Sequence, residues 1–178
     1  MTSLLHVGAT AASAGPKSMR QAGDRSPAHL RRRDLLALAL FCATPLVQAK
    51  TAPKLVEIWK APTCGCCGDW MKLMEAQGFS FKVHDTGNGD ARRRLGMSVN
   101  YGSCHTALVD GYVIEGHVPV REVQRLLRER PRSVGLAVPG MPIGSAGMDG
   151  PEYKGRRDPY AVLLVQRDGS STEYQSYR

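Results

Sequence analysis

Aromatic side chains are scarce in this chain: Phe, Tyr and Trp make up 6% of its 178 residues. Any core must therefore be mainly aliphatic. No basic stripe with interleaved aromatics is present, which argues against nucleic-acid binding. Long apolar runs are missing too. The run Leu35–Phe41 is too short to cross a bilayer, so no membrane span is expected in the mature chain. No internal repeat or low-complexity tract stands out. Cysteine is sparse, five in all, and three of the five fall within four residues. A bridge inside so short a stretch closes almost no loop and stabilises little, so a purely structural disulfide framework is a poor account of them.

The formal charge of +8 overstates the basicity of the folded part. Residues 1–49 carry six Lys/Arg and two Asp/Glu, and residues 50–178 carry eighteen and fourteen. The first segment reads as an export signal. Arg31-Arg32-Arg33 leads into the Leu/Ala run, and Val47-Gln48-Ala49 ends in the small residue a signal peptidase requires. Arg32-Arg33-Asp34-Leu35-Leu36 also fits the twin-arginine pattern, with the Sec route equally open and Met19 an alternative start. The expected organisation is a signal over 1–49, cleaved after Ala49, and one domain over 50–178 in the periplasm. The mature chain then keeps Cys64, Cys66, Cys67 and Cys104.

Cys64-Gly65-Cys66-Cys67 follows a strand-like run (Leu55, Val56, Ile58, Trp59) and precedes a helix-like one (Trp70, Met71, Leu73, Met74). Thiols at the start of a helix meet unpaired N–H groups and a partial positive charge, which favour thiolate. Cys64 and Cys67 have C-x-x-C redox spacing. Cys66 is superfluous for disulfide exchange but suits a soft metal.

The pattern predicts strands over Lys54–Trp59 and Phe79–His84, with a helix over Cys67–Gln77 between them and Gly78 as its cap. A short helix is expected at Ala91–Leu95, its Arg92-Arg93-Arg94 run forming a solvated face. His105–Val109 and Tyr112–Glu115 flank the hairpin turn Asp110-Gly111, and a helix runs from Pro119 to Arg130. The Gly- and Pro-rich stretch 132–160 is too long for an ordinary linker and is expected to pack as an ordered loop. Pro159–Val165 and Ser171–Tyr177 form a C-terminal hairpin at the sheet edge. The fold class expected is α/β: a thioredoxin-like core (βαβ, short helix, β-hairpin, helix), an ordered Gly/Pro/Met loop and the C-terminal hairpin.

Thioredoxin-type sites carry a proline just before the third core strand, facing the C-x-x-C turn. Counting back from Asp110-Gly111 puts His105 at that place with Cys104 beside it. A Cys–His pair thus faces the three-cysteine turn, a donor set suited to Cu(I) or Zn(II).

At these residues the chain resembles the exported metal-binding proteins long catalogued as a domain of unknown function, which include CopG-type copper-resistance proteins. The matching segments are Thr63–Gly68, Ser103–Ala107, Gly116–Pro119, Gly135–Pro142, Gly144–Met148 and Asp158–Tyr160. The resemblance runs from about 54 to 177. It implies a thioredoxin-like fold, copper at the C-x-C-C turn and copper redox chemistry in the cell envelope. Where the family often has Ser-Pro-Gly-Met, this chain has Ser145-Ala146-Gly147-Met148.

The candidate metal ligands are Cys64, Cys66, Cys67, Cys104, His105, His117 and Met148, with Cys64 and Cys67 as the redox-active pair. Met141 and His84 rank below them. The ion expected is copper, as Cu(I)/Cu(II), with room for more than one. The partners expected are copper ions and an envelope electron-transfer or copper-handling protein, with no nucleic acid. Two rivals stay open: a metal-free thiol–disulfide oxidoreductase, and a passive copper chaperone or store.

Overall fold

A computed structural model describes residues 52–178. The expected export signal and its cleavage point lie outside the described residues. Seven strands and three α-helices follow one another: β1 (Lys54–Lys60), α1 (Gly65–Glu75), β2 (Phe79–His84), α2 (Gly89–Arg94), β3 (His105–Val109), β4 (Tyr112–Glu115), α3 (Val120–Glu129), β5 (Gly135–Ala137), β6 (Tyr160–Val165) and β7 (Ser171–Tyr177). The strands form one mixed sheet in the order β2-β1-β3-β4-β5-β6-β7. β1 runs parallel to β2 and antiparallel to β3, and β4 runs antiparallel to β3 and parallel to β5. The fold is α/β, and its elements follow the expected order. Among the described residues no helix is long and apolar enough to cross a membrane.

Strand alternation sorts side chains to the two faces of the sheet. Val56, Ile58, Ala107, Val109 and Ile114 point to the face covered by α1 and α3, where they pack with Trp70, Met74, Val123 and Leu126. Trp70 is fully buried. Its indole Nε1–H donates to the Val118 carbonyl at 2.8 Å, which satisfies the one polar atom of the largest core side chain. The opposite face carries a smaller cluster of Met97, Val113, Ala137 and Val165. Asp110 (φ 48°) and Gly111 (φ 84°) both take the left-handed conformation of the two-residue hairpin turn that joins β3 to β4.

Three expectations are corrected. α1 begins at Gly65 and ends at Glu75, so Cys66 and Cys67 are in its first turn and Cys64 is its N-cap. Gly78 (φ 86°) sits beyond the cap, where its N–H donates to the Glu75 carbonyl at 3.0 Å. The stretch 132–160 is not all loop, because β5 crosses it, fully buried, between β4 and β6. A Cβ on Gly135 would fall 1.8 Å from the Val113 carbonyl oxygen, so this close pairing requires glycine. The C-terminal hairpin therefore joins the sheet through β5. Finally, Arg92-Arg93-Arg94 is not a uniform solvated face. Arg92 turns inward to the buried Glu115, Arg94 lies over the Trp59 ring at 5.4 Å, and Arg93 pairs with Asp90.

Candidate metal centre

The pairing of β1 with β3 builds the site. Lys60, the last residue of β1, is the register partner of His105, the first of β3. The chain leaving β1 turns at once into α1, while the chain entering β3 arrives from the other side. The C-x-C-C turn and Cys104 therefore meet over the same end of the sheet. The sulfurs of Cys64, Cys66, Cys67 and Cys104 all lie within 4.8 Å of one another. Cys104 Sγ is 3.5 Å from Cys67 Sγ, and Cys66 Sγ is 3.7 Å from Cys64 Sγ. Cys64 and Cys67 are joined as a disulfide, and Cys66 and Cys104 are free thiols.

Two imidazoles complete the cluster. Cys104 Sγ, His105 and His117 form a second group with ligand atoms within 4.8 Å. His117 is fully buried, with Nδ1 2.8 Å from the Ala146 carbonyl and Nε2 2.9 Å from Cys104 Sγ. A carbonyl can only accept, so Nδ1 carries the proton of the neutral ring and the Nε2 lone pair faces the sulfur. Such a backbone partner fixes the tautomer and orientation of a ligating histidine. His105, also fully buried, has Nδ1 3.4 Å from Cys104 Sγ. Its ring packs against Trp70 with centroids 4.5 Å apart, and its Nε2 has no hydrogen-bond partner.

Burial sets the protonation of these groups. It pushes the Cys104 thiol up to about 12, with the charge of Cys66 adding to the effect. Burial, and then the neighbouring His117, bring His105 down to about 3, against a pull from the Gly116 backbone. His117 is lowered by burial as well, against the Ala146 carbonyl. The metal-free site thus holds a protonated Cys104 and two neutral imidazoles. A soft metal would displace the thiol proton on binding, since only thiolate is a ligand.

The Gly/Pro stretch folds over this site. Gly147 (φ 81°) lies against the first turns of α1: a Cβ there would be 2.7 Å from the Trp70 amide nitrogen and 3.0 Å from the Cys66 carbonyl oxygen. The neighbouring Ala146 carbonyl holds His117. Met148 is buried, and its thioether accepts from the Tyr153 hydroxyl at 3.4 Å. Met141 is half exposed, at 52%. His84 belongs to a separate cluster, bonded to Glu57 at 2.7 Å and stacked on Trp59. Sequence reasoning missed Trp70 as the wall behind His105 and Tyr153 as the partner of Met148. The pattern Gly144-x-x-Gly147 beside a methionine was the signal for a loop seated against backbone.

Residues 101–148 match the family described as "Protein of unknown function, DUF411". That span holds Cys104, His105, His117 and Met148. No curated protein matches the chain. Two solved structures do, both called copper resistance protein CopG. Form 2 is 39% identical, covering 71% of this chain and 99% of that one, with a TM-score of 0.64. Form 1 is 41% identical, covering 70% and 98%, also with a TM-score of 0.64. The chain belongs to the CopG copper-resistance family. Four clustered cysteines in a CopG-family chain form a centre capable of binding metal. Thiolates with neutral imidazoles are a donor set that suits Cu(I) or Zn(II) better than the hard cations.

Proposed function

We propose that this chain is an exported copper-handling protein with a thioredoxin-like core. It holds Cu(I) through Cys64, Cys66, Cys67 and Cys104, with His105 and His117 at the edge of the sulfur cluster and Met148 as an added thioether. In this reading residues 1–49 are the signal, residues 50–178 the periplasmic domain, and copper is substrate or cargo. The observation that carries it is the meeting of four sulfurs and two neutral imidazoles from the start of α1, the entry to β3 and the β4–α3 connection. Several sulfurs this close can bridge metals, so more than one copper fits.

The Cys64–Cys67 disulfide extends the reading to redox conversion. In the reduced state the pair is a dithiol, which releases its two protons as it is oxidised. Two Cu(II) ions each take one electron from it, giving two Cu(I) and the disulfide. Cys66, Cys104 and the imidazoles remain to hold the product. An envelope thiol or electron-transfer partner then returns two electrons and two protons to the pair. The same disulfide, with the free Cys104 thiol 3.5 Å from Cys67, also favours the rival reading of a metal-free thiol–disulfide oxidoreductase.

Titration of the reduced protein with Cu(I) against a competing chelator separates the two. The parent should bind tightly, Cys66→Ser should weaken binding strongly while the fold is kept, and Met148→Leu, nearly volume-neutral, should weaken it less. If Cys66→Ser binds as the parent does, the metal-cluster reading falls and the thiol-exchange rival takes its place. Stoichiometric reduction of Cu(II), with disulfide formation followed by mass, separates redox conversion from passive storage.

A further inference from the structure

Behind the site, on the opposite face of the sheet, lies a buried pair of charges that the copper chemistry does not use. Glu115 on β4 is fully buried and Arg92 on α2 is nearly so. Arg92 Nε donates to Glu115 Oε1 at 2.9 Å, and its Nη2 lies 2.8 Å from the same oxygen as an ion pair. The same carboxylate oxygen accepts from the Ser103 amide at 2.8 Å, and Oε2 accepts from the Thr106 hydroxyl at 2.6 Å. Arg92 Nη2 also donates to the Ser103 carbonyl at 2.7 Å, and Asn88 Nδ2 reaches the same carbonyl at 3.0 Å. The Ser103 hydroxyl is bonded to the Gly140 carbonyl. Every polar group of Ser103 is therefore engaged, and the charged pair takes both its N–H and its C=O.

Ser103 is the residue before Cys104. Cys104 has no strand pairing of its own, since β3 and its ladder begin at His105. We propose that Glu115 and Arg92 are positioning residues for Cys104, gripping the backbone of Ser103 from behind the sheet so that Cys104 Sγ is held against Cys67 and His117. A buried ion pair is poor evidence for stability as such, because well-packed apolar residues commonly do as well. Its distinctive contribution is geometric: a planar, forked donor and a two-oxygen acceptor fix direction as well as distance. The inference rests on the reading of Cys104 as a site residue, but its principal test needs no copper.

The test uses the full chain carrying Cys42→Ser, Cys64→Ser and Cys66→Ser, which leaves Cys67 and Cys104 as its two thiols. Glutathione disulfide oxidises this pair to Cys67–S–S–Cys104 and is itself reduced to two molecules of glutathione, which take up the two thiol protons. The equilibrium constant measures how well Cys104 is held against Cys67. Adding Glu115→Gln, which keeps shape but loses charge and one acceptor, should lower that constant by about tenfold or more. Arg92→Lys should lower it less, since it keeps the charge but loses the fork. Leu126→Ala, on the far side of the core, is the control for stability lost elsewhere. It should leave the constant within about twofold, as expected for an uncoupled site. An unchanged constant in Glu115→Gln overturns the proposal, and so does an equal fall in Leu126→Ala, which would make the pair merely structural. If Glu115→Gln fails to fold, Arg92→Lys against Leu126→Ala decides the matter on the same terms. Cu(I) titration of Glu115→Gln in the otherwise unmodified chain is the second arm. A fall in the thiol constant with unchanged Cu(I) affinity supports the clamp and removes Cys104 from the ligand set.

Discussion

Replacing Gly147 with alanine probes whether the Gly/Pro loop truly closes the site. The new Cβ would sit 2.7 Å from the Trp70 nitrogen and 3.0 Å from the Cys66 oxygen. Both atoms are helix backbone and cannot step aside, so the loop must lift. The left-handed φ of 81° adds about 1–2 kcal/mol for an alanine, and overpacking about 1–3 kcal/mol. The expected loss is roughly 2–5 kcal/mol, or a melting temperature lower by about 10–15 °C for a domain of this size. Lifting the loop also withdraws the Ala146 carbonyl from His117. Losing the group that orients a ligating histidine commonly costs about tenfold to a hundredfold in metal affinity. Thermal unfolding and Cu(I) competition read the two effects. Gly155→Ala is the control, since Gly155 has φ 74° but nothing within 4 Å of its would-be Cβ. It should lose only the backbone term and keep full copper affinity. If Gly147→Ala loses no more stability than Gly155→Ala and binds Cu(I) like the parent, the loop is not seated on α1 and the reasoning fails.

Two further outcomes follow from the site and the signal. His105 and His117 are held below the ordinary histidine range in the folded state, so on acidification through about pH 6.5 the unfolded chain takes up protons that the folded chain refuses. Stability of the metal-free protein should therefore fall between pH 7.5 and 5.5, seen as a lower urea midpoint, and a flat profile would show the rings to be solvated. Export with cleavage after Ala49 predicts that N-terminal sequencing of envelope protein starts at Lys50, whereas full-length chain held in the cytoplasm would refute the signal assignment.

The parts of this molecule that announce themselves in sequence are those with a strong local code. β3 and β4 fall where the apolar pattern puts them, because Asp110-Gly111 can only make a tight turn and the strands on either side inherit their register from it. Counting back from that turn was enough to bring Cys104 and His105 to the C-x-C-C turn. β5 left no such trace. Three residues, Gly135 to Ala137, carry no period, and their strand exists only because β4 offers a buried edge for them to pair with. Arg92 was hidden differently, since three consecutive arginines look alike until tertiary structure chooses the one that faces Glu115. The partners of His117 and Met148 were equally unreadable, one being a backbone carbonyl and the other a tyrosine in a short 3-10 turn at Pro151–Tyr153.

The insertion of β5 beside β6 has a mechanical consequence. The segment that carries Ala146, Gly147 and Met148 leaves the sheet at Ala137 and returns at Tyr160, and Ala137 is directly paired with Leu163. Both feet of the cover thus stand on adjacent strands, as in a handle riveted at two points. A handle of this kind has little freedom to lose on closing, because joining its ends has already been done by the sheet. It also places the last strands of the chain in the same cooperative unit as the candidate metal ligands. Shortening the C-terminal hairpin would free one rivet and loosen His117, although no residue of β6 or β7 is itself a candidate ligand.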